Sequence, residues 1–180
     1  MKLMIVYGTV EGQTFKIAKY LQQQAEKLGH TVIMYNAIDN PVNAGAYDAV
    51  IVGSSIHVGG YNAAVKHFVK ENIDALNTMP SAFVSVSLTA AGTDEESWKD
   101  LEHITEKFLD EMHWKPALVE QVAGALLYTQ YDFFKKFIMR MIAKKSGGST
   151  DTGTDVEYTD WVKVNEFLNK FLLLAQGVPA

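Results

Sequence analysis

Apolar positions along the chain alternate between short unbroken runs and stretches at helical spacing. Leu3 to Tyr7 is a near-continuous apolar run, the pattern of a central strand covered on both faces. Ile17, Ala18, Leu21, Ala25 and Leu28 then share one helical face, with Gln and Lys opposite and Gly29 closing the helix. Thr31 to Tyr35 reads as a second strand and Ala49 to Val52 as a third. Ala64, Val65, Phe68, Val69 and Ile73 return to helical spacing, and Ser81 to Leu88 is a fourth strand. Thr93-Asp94-Glu95-Glu96 reads as a capping box ahead of Leu101, Ile104, Phe108, Leu109 and Met112. Leu118 to Ala125 is a fifth strand. A last helix runs from about Asp160 to Ala175, with Val164, Phe167, Leu168, Phe171 and Leu172 inward.

Strand and helix alternate five times, which predicts an α/β domain with a five-stranded, mostly parallel, doubly wound sheet. The stretch 126–159 does not fit the minimal plan, because structureless connections of that length are rare inside a domain. It divides into a cationic amphipathic helix, about Asp132 to Lys145, and the polar tail SGGSTDTGTDVEYTD. The expectation is one domain over 1–180 with a helical insertion at about 126–159 before the last helix.

The 180 residues suit one compact domain, and 48% hydrophobic with 21% charged residues is ordinary globular usage. The absence of cysteine removes disulfide scaffolds, thiol nucleophiles and thiolate metal sites. The first apolar run is too short for a signal peptide, and no stretch approaches a membrane span. A cytoplasmic protein is expected. The net charge of −5 gives no reason to expect nucleic-acid binding. That figure averages two opposed regions. Residues 89–113 hold eight acidic against two basic side chains, whereas 130–150 hold Asp132 against Lys135, Lys136, Arg140, Lys144 and Lys145.

Three loops leave the carboxyl edge of the sheet, where parallel sheets bind ligands. The first is Thr9, Val10, Glu11, Gly12, Gln13 and Thr14. Its hydroxyls and the N–H groups around Gly12 can cradle a phosphate; an ordinary turn whose threonines satisfy the helix end is the alternative. No Walker lysine and no G-x-G-x-x-G is present. The second loop is Ser54, Ser55, Ile56, His57, Val58, Gly59, Gly60 and Tyr61; the third is Ser87, Leu88, Thr89, Ala90, Ala91 and Gly92. Small, hydroxylic and apolar residues of this kind can flank a flat heteroaromatic ring. Tyr61, Trp98 or Tyr128 can supply aromatic cover. The five histidines show no ligand spacing, so no metal is expected. His57 alone sits in a proposed cofactor loop, where it can orient or protonate a substrate or merely fill space.

On these residues the chain resembles the flavodoxin-fold family, with G8-T9-V10-E11-G12-Q13-T14 similar to its phosphate loop. More narrowly it resembles the bacterial menaquinone-dependent protoporphyrinogen IX dehydrogenases. The segments carrying that likeness are GSSIHVGGY at 53–61, MPSAFVSV at 79–86, AGAL at 123–126, FIMR at 137–140, SGGSTDT at 146–152 and YTDW at 158–161. The resemblance implies a flavodoxin-like three-layer sandwich that binds flavin mononucleotide (FMN). Residues 9–14 would hold the phosphate and ribityl end, and residues 54–61 and 87–92 the isoalloxazine ring. It also implies oxidation of protoporphyrinogen IX to protoporphyrin IX in haem biosynthesis, with a membrane quinone as electron acceptor. A non-enzymatic electron-transfer flavodoxin, docking a redox partner through its acidic loop, is a second function this pattern allows, and a regulatory domain without cofactor, its three loops empty, is a third.

The insertion bears on that choice. Phe134, Phe137, Ile138, Met141 and Ile142 form one broad face of the expected helix, bordered by Lys135, Arg140, Lys144 and Lys145. Such a helix can lie peripherally on the inner face of the cell membrane, cover the flavin site, pack a partner subunit, or simply cover the core. The sequence leaves these four open, and the oligomeric state with them.

Overall fold

Strand alternation sorts the apolar side chains of a central sheet between two helical layers. The computed structural model describes residues 1–39, 43–126 and 156–177. In chain order its first half contains β1 (Lys2–Gly8), α1 (Gln13–Lys27), β2 (Thr31–Asn36), β3 (Ala49–His57), β4 (Gly60–Tyr61), α2 (Ala63–Glu71) and α3 (Ile73–Thr78). There follow β5 (Ser81–Ser87), α4 (Glu95–Met112), β6 (Leu118–Ala123), β7 (Ala125–Leu126), β8 (Val156–Glu157) and α5 (Trp161–Ala175).

Five strands pair in parallel in the order β2-β1-β3-β5-β6, and β4 folds back antiparallel on β3. Leu3, Ile5, Ile51, Val84 and Val122 pack against α1 and α5. Met4, Val6, Val50, Val52 and Phe83 pack against α2, α3 and α4. This is the three-layer α/β sandwich that the pattern predicts. Burial of each large apolar side chain contributes roughly 1.5–3 kcal/mol before entropy is counted.

The structure departs from the pattern mainly at element ends. The third strand runs five residues past its apolar stretch, through Gly53 to His57, because β5 and β4 pair with it on either side of the register. The helix expected through Ile73 breaks at Asn72, whose backbone leaves helical geometry. The Asn72 side chain donates to Phe68 O at 3.0 Å and accepts from Ala44 N at 2.8 Å. Asp94, not Thr93, caps α4, accepting from Ser97 N at 3.2 Å. Leu28, expected on the buried face, lies exposed beyond the end of α1. The fifth strand stops at Ala123; beyond Gly124, β7 pairs antiparallel with β8, inside what reads as a polar tail. The expected helix at 132–145, with Phe134, Lys135, Phe137, Ile138, Arg140, Met141, Lys144 and Lys145, lies outside the described residues, as does Tyr128.

Glu120 on β6 is half-buried beside α5. Burial raises its carboxyl pKa, the nearby charges of Lys163 and Lys170 pull it back, and Glu166 adds to the rise. A carboxyl with a raised folded pKa holds its proton more tightly folded than unfolded. Its contribution is therefore most favourable below its unfolded pKa and is lost as pH rises through the folded value. Glu120→Gln is expected to raise Tm at neutral pH, with the gain vanishing below about pH 4. Thermal unfolding at the two pH values measures it.

Candidate active site

From β1 the chain crosses to β2 on one side and then returns to lay β3 on the other, so strand order reverses between β1 and β3. The helices that follow these two strands lie on opposite faces of the sheet, and a crevice opens at the strands' carboxyl ends. Small residues keep it open and tight-walled. A Cβ on Gly8 would meet Val65 Cγ2 at 2.5 Å, and one on Gly53 would press Thr14 Cγ2 at 3.3 Å.

The crevice encloses a cleft of about 570 Å³. All three predicted loops contribute: Thr9, Val10, Glu11, Gln13 and Thr14 from the first, Ser55, Ile56, His57 and Val58 from the second, and Ser87, Leu88 and Thr89 from the third. Val86, Gly124 and Ala125 complete the lining. Glu11 is the only acidic residue among those lining it, and none is Lys or Arg. Among the described residues, the donors around the first loop are neutral N–H and O–H groups.

The first loop is built for that task. Gly12 takes φ +88°, a left-handed conformation that a side chain would strain. Its N–H donates to Thr9 Oγ1 at 2.8 Å, leaving the Thr9 hydroxyl proton free to donate onward. Helix α1 then starts without any side-chain cap and without an acidic residue in its first turn. Uncapped N–H groups at a helix start attract an anion. Thr14 is 1% exposed, and its hydroxyl has no hydrogen-bond partner among the described residues. The buried Ser55 hydroxyl, across the cleft on β3, is likewise unpartnered. Buried unpaired hydroxyls are costly, so two in one cleft without a partner among the described residues call for an explanation.

The second loop is a β-hairpin rather than open coil. Its tip places Val58 at φ +49° and Gly59 at φ +74°. A β-branched residue in that region is strained, and such strain collects at functional sites. The Val58 side chain is 93% exposed at the cleft mouth. His57 is exposed on the rim beside it.

Several predicted site residues serve the cleft from outside its lining. Tyr61 is buried, its ring packed against Phe83 and Phe108 at centroid distances of 5.0 and 4.7 Å. Its hydroxyl donates to Ser85 Oγ at 2.8 Å and lies 2.8 Å from Thr105 Oγ1. Burial raises its pKa despite both partners, so it stays neutral, and it covers no ring in the cleft. Ser54 is wholly buried, accepting weakly from Asn62 N at 3.3 Å. Gly59, Gly60, Ala90, Ala91 and Gly92 shape their turns without lining the cleft. Ser87 accepts from Ala90 N at 3.2 Å, and Trp98 Nε1 donates to Gly92 O at 2.7 Å, fixing the third loop. Among the described residues no group of three or more acidic or histidine side chains comes together as a metal site.

The fourth wall was not legible in the local pattern. Gly124 follows the fifth strand, and its N–H donates to Ser87 O at 2.9 Å, drawing Ala125 against the third loop. Thr159 braces this wall, donating to Ala123 O at 2.7 Å and accepting from Gln13 Nε2 at 2.8 Å.

A parallel sheet in the order β2-β1-β3-β5-β6 with helices on both faces is the doubly wound, flavodoxin-like class of fold, and the chain belongs to the flavodoxin domain family, whose model matches residues 4–153. It is 39% identical over 169 residues to the protoporphyrinogen IX dehydrogenase (quinone) of Escherichia coli strain K12, covering 93% of this chain and 92% of that one. It is 35% identical over 182 residues to the enzyme of the same name from Leishmania major, covering 99% and 78%. Among solved structures, oxidised Flavodoxin 1 from Bacillus cereus aligns with a TM-score of 0.51 at 16% identity, over 82% of this chain and 100% of that one. At that identity the likeness speaks for the fold.

Proposed function

We propose that the protein is an FMN-dependent oxidoreductase of the quinone-linked protoporphyrinogen IX dehydrogenase type, acting in haem biosynthesis. The observation that carries the site assignment is the pair of buried, unpartnered hydroxyls, Thr14 and Ser55, in one cleft with an uncapped helix start. The relatives named above support the activity over nearly the whole chain. The FMN phosphate fits the first loop. There Thr9 and Thr14 donate O–H groups and the start of α1 offers backbone N–H groups, with no cation required. Ser55 to Val58 and Ser87 to Thr89 border the space for the ring.

When bound, FMN would supply a two-electron acceptor, and three such two-electron oxidations per protoporphyrinogen IX would be balanced by reduction of three quinones. The chain's own task is to orient and exclude water. Ile56, Val58, Val86, Leu88 and Ala125 present apolar surface to the cleft, which suits a flat macrocycle stacking on a ring. His57 on the rim is positioned to contact an entering substrate. The insertion at 126–159, with its cationic and aromatic positions, is the segment we assign to holding the propionate-bearing substrate or meeting the membrane that carries the quinone. No helix among the described residues is long and apolar enough to cross a membrane.

The reductive half-reaction tests this reading. FMN-loaded protein, mixed anaerobically with protoporphyrinogen IX and no quinone, should lose its visible flavin absorbance as substrate is consumed. Flavin absorbance that persists in excess protoporphyrinogen would overturn it.

A further inference from the structure

The chain returning to the sheet after β8 is fastened along one stripe of α1. Gln13, Lys16 and Tyr20, at positions i, i+3 and i+7, meet Thr159, Glu157 and Trp161. These contacts are unequal. The Lys16–Glu157 pair, at 3.2 Å, is exposed on both sides and counts for little. The rings of Tyr20 and Trp161, 4.8 Å apart, hold the body of α1 rather than its start. Gln13 is different: it is the first residue of α1, directly after left-handed Gly12, and is only 8% exposed. Its side-chain amide donates at 2.8 Å to Thr159 Oγ1, whose own proton goes at 2.7 Å to Ala123 O at the end of β6. The uncapped helix start is thereby tied to the rigid sheet by a two-bond relay, with Thr9 Oγ1 holding Gly12 from the other side.

We propose that Thr159 is a positioning residue that fixes the first turn of α1 in its phosphate-binding geometry, through Gln13. This rests on the assignment of the FMN phosphate to residues 9–14. The cost of losing the relay falls on the phosphate more than on the ring, because Gln13 and Thr14 present their N–H groups at the helix start, while the Gly124–Ala125 wall keeps its own bond from Gly124 N to Ser87 O.

Titration of flavins into apoprotein, followed by quenching of flavin fluorescence, tests the proposal without any turnover. FMN and riboflavin are compared, since riboflavin carries the ring and ribityl chain but no phosphate. Thr159→Val keeps the side-chain volume and removes both bonds. It should weaken FMN about tenfold and leave riboflavin unchanged. Thr159→Ser retains the hydroxyl and should restore FMN affinity. Gln13→Leu breaks the same link while sparing the Ala123 carbonyl; it should match Thr159→Val, and it serves if that variant does not fold. Equal weakening of both flavins, no weakening of FMN, or a serine variant as weak as the valine one would overturn the proposal. A wild-type protein binding FMN no better than riboflavin would instead overturn the phosphate-loop assignment, and this inference with it.

Discussion

Thr14→Val should make the protein without cofactor more stable and bind FMN far less tightly. The two effects have opposite signs because the Thr14 hydroxyl is buried and has no partner among the described residues. Removing an unpaired buried hydroxyl while keeping the shape relieves a penalty of about 1 kcal/mol or more. In the proposed complex the same hydroxyl would donate to a charged phosphate oxygen, a bond worth roughly 1.5–3 kcal/mol, so affinity should fall about tenfold to a hundredfold. Thermal unfolding with and without FMN, beside a fluorescence titration, gives both numbers. A variant that loses stability without cofactor, or keeps its FMN affinity, would show that the hydroxyl has another partner.

Tyr61→Ala should be among the most damaging single changes in the fold. It empties the space beside the touching Phe83 and Phe108 rings and strips the hydroxyl bridge from Ser85 and Thr105. Large aromatic truncations cost about 3–5 kcal/mol, which for a chain of this size lowers Tm by roughly 10 °C. Tyr61→Phe separates the two parts. Both hydroxyl contacts go, but Thr105 keeps its bonds to Gln121 and Leu101, so the penalty falls mainly on Ser85 and should be about 1 kcal/mol. Because Tyr61 anchors β4, the alanine variant should also loosen the hairpin whose tip carries Val58. Faster amide exchange at residues 56–61 than in the phenylalanine variant would register it.

These two residues also mark what the sequence could and could not disclose. That Thr14 lines the cleft was readable because its loop is local: it leaves the carboxyl end of the first strand and carries a glycine and two threonines within a few positions. The strands were readable for the same reason, since Leu3–Tyr7 and Ala49–Val52 are buried on both faces and leave no polar gaps. Tyr61 looked like cover for a ring because it follows two glycines in a loop. Its true neighbours, Phe83, Ser85 and Phe108, come from β5 and α4, and only the packed fold brings them together. The extension of β3 through Gly53 to His57 was hidden because small and polar residues near a ligand site carry no apolar signature. Thr159 lies 146 positions from Gln13, and no periodicity links them. The wall formed by Gly124 and Ala125 was likewise invisible, because it arises from one backbone bond to Ser87.

The central claim is that this cleft oxidises a porphyrinogen and hands the electrons to a quinone. Anaerobic turnover of FMN-loaded protein with protoporphyrinogen IX and a menaquinone analogue tests it most directly, with porphyrin fluorescence and quinone reduction read together. One porphyrin should form for every three quinones reduced, with both signals lost when FMN is removed. Bound FMN with no porphyrin above the FMN-free rate would contradict it and leave an electron-carrying flavodoxin.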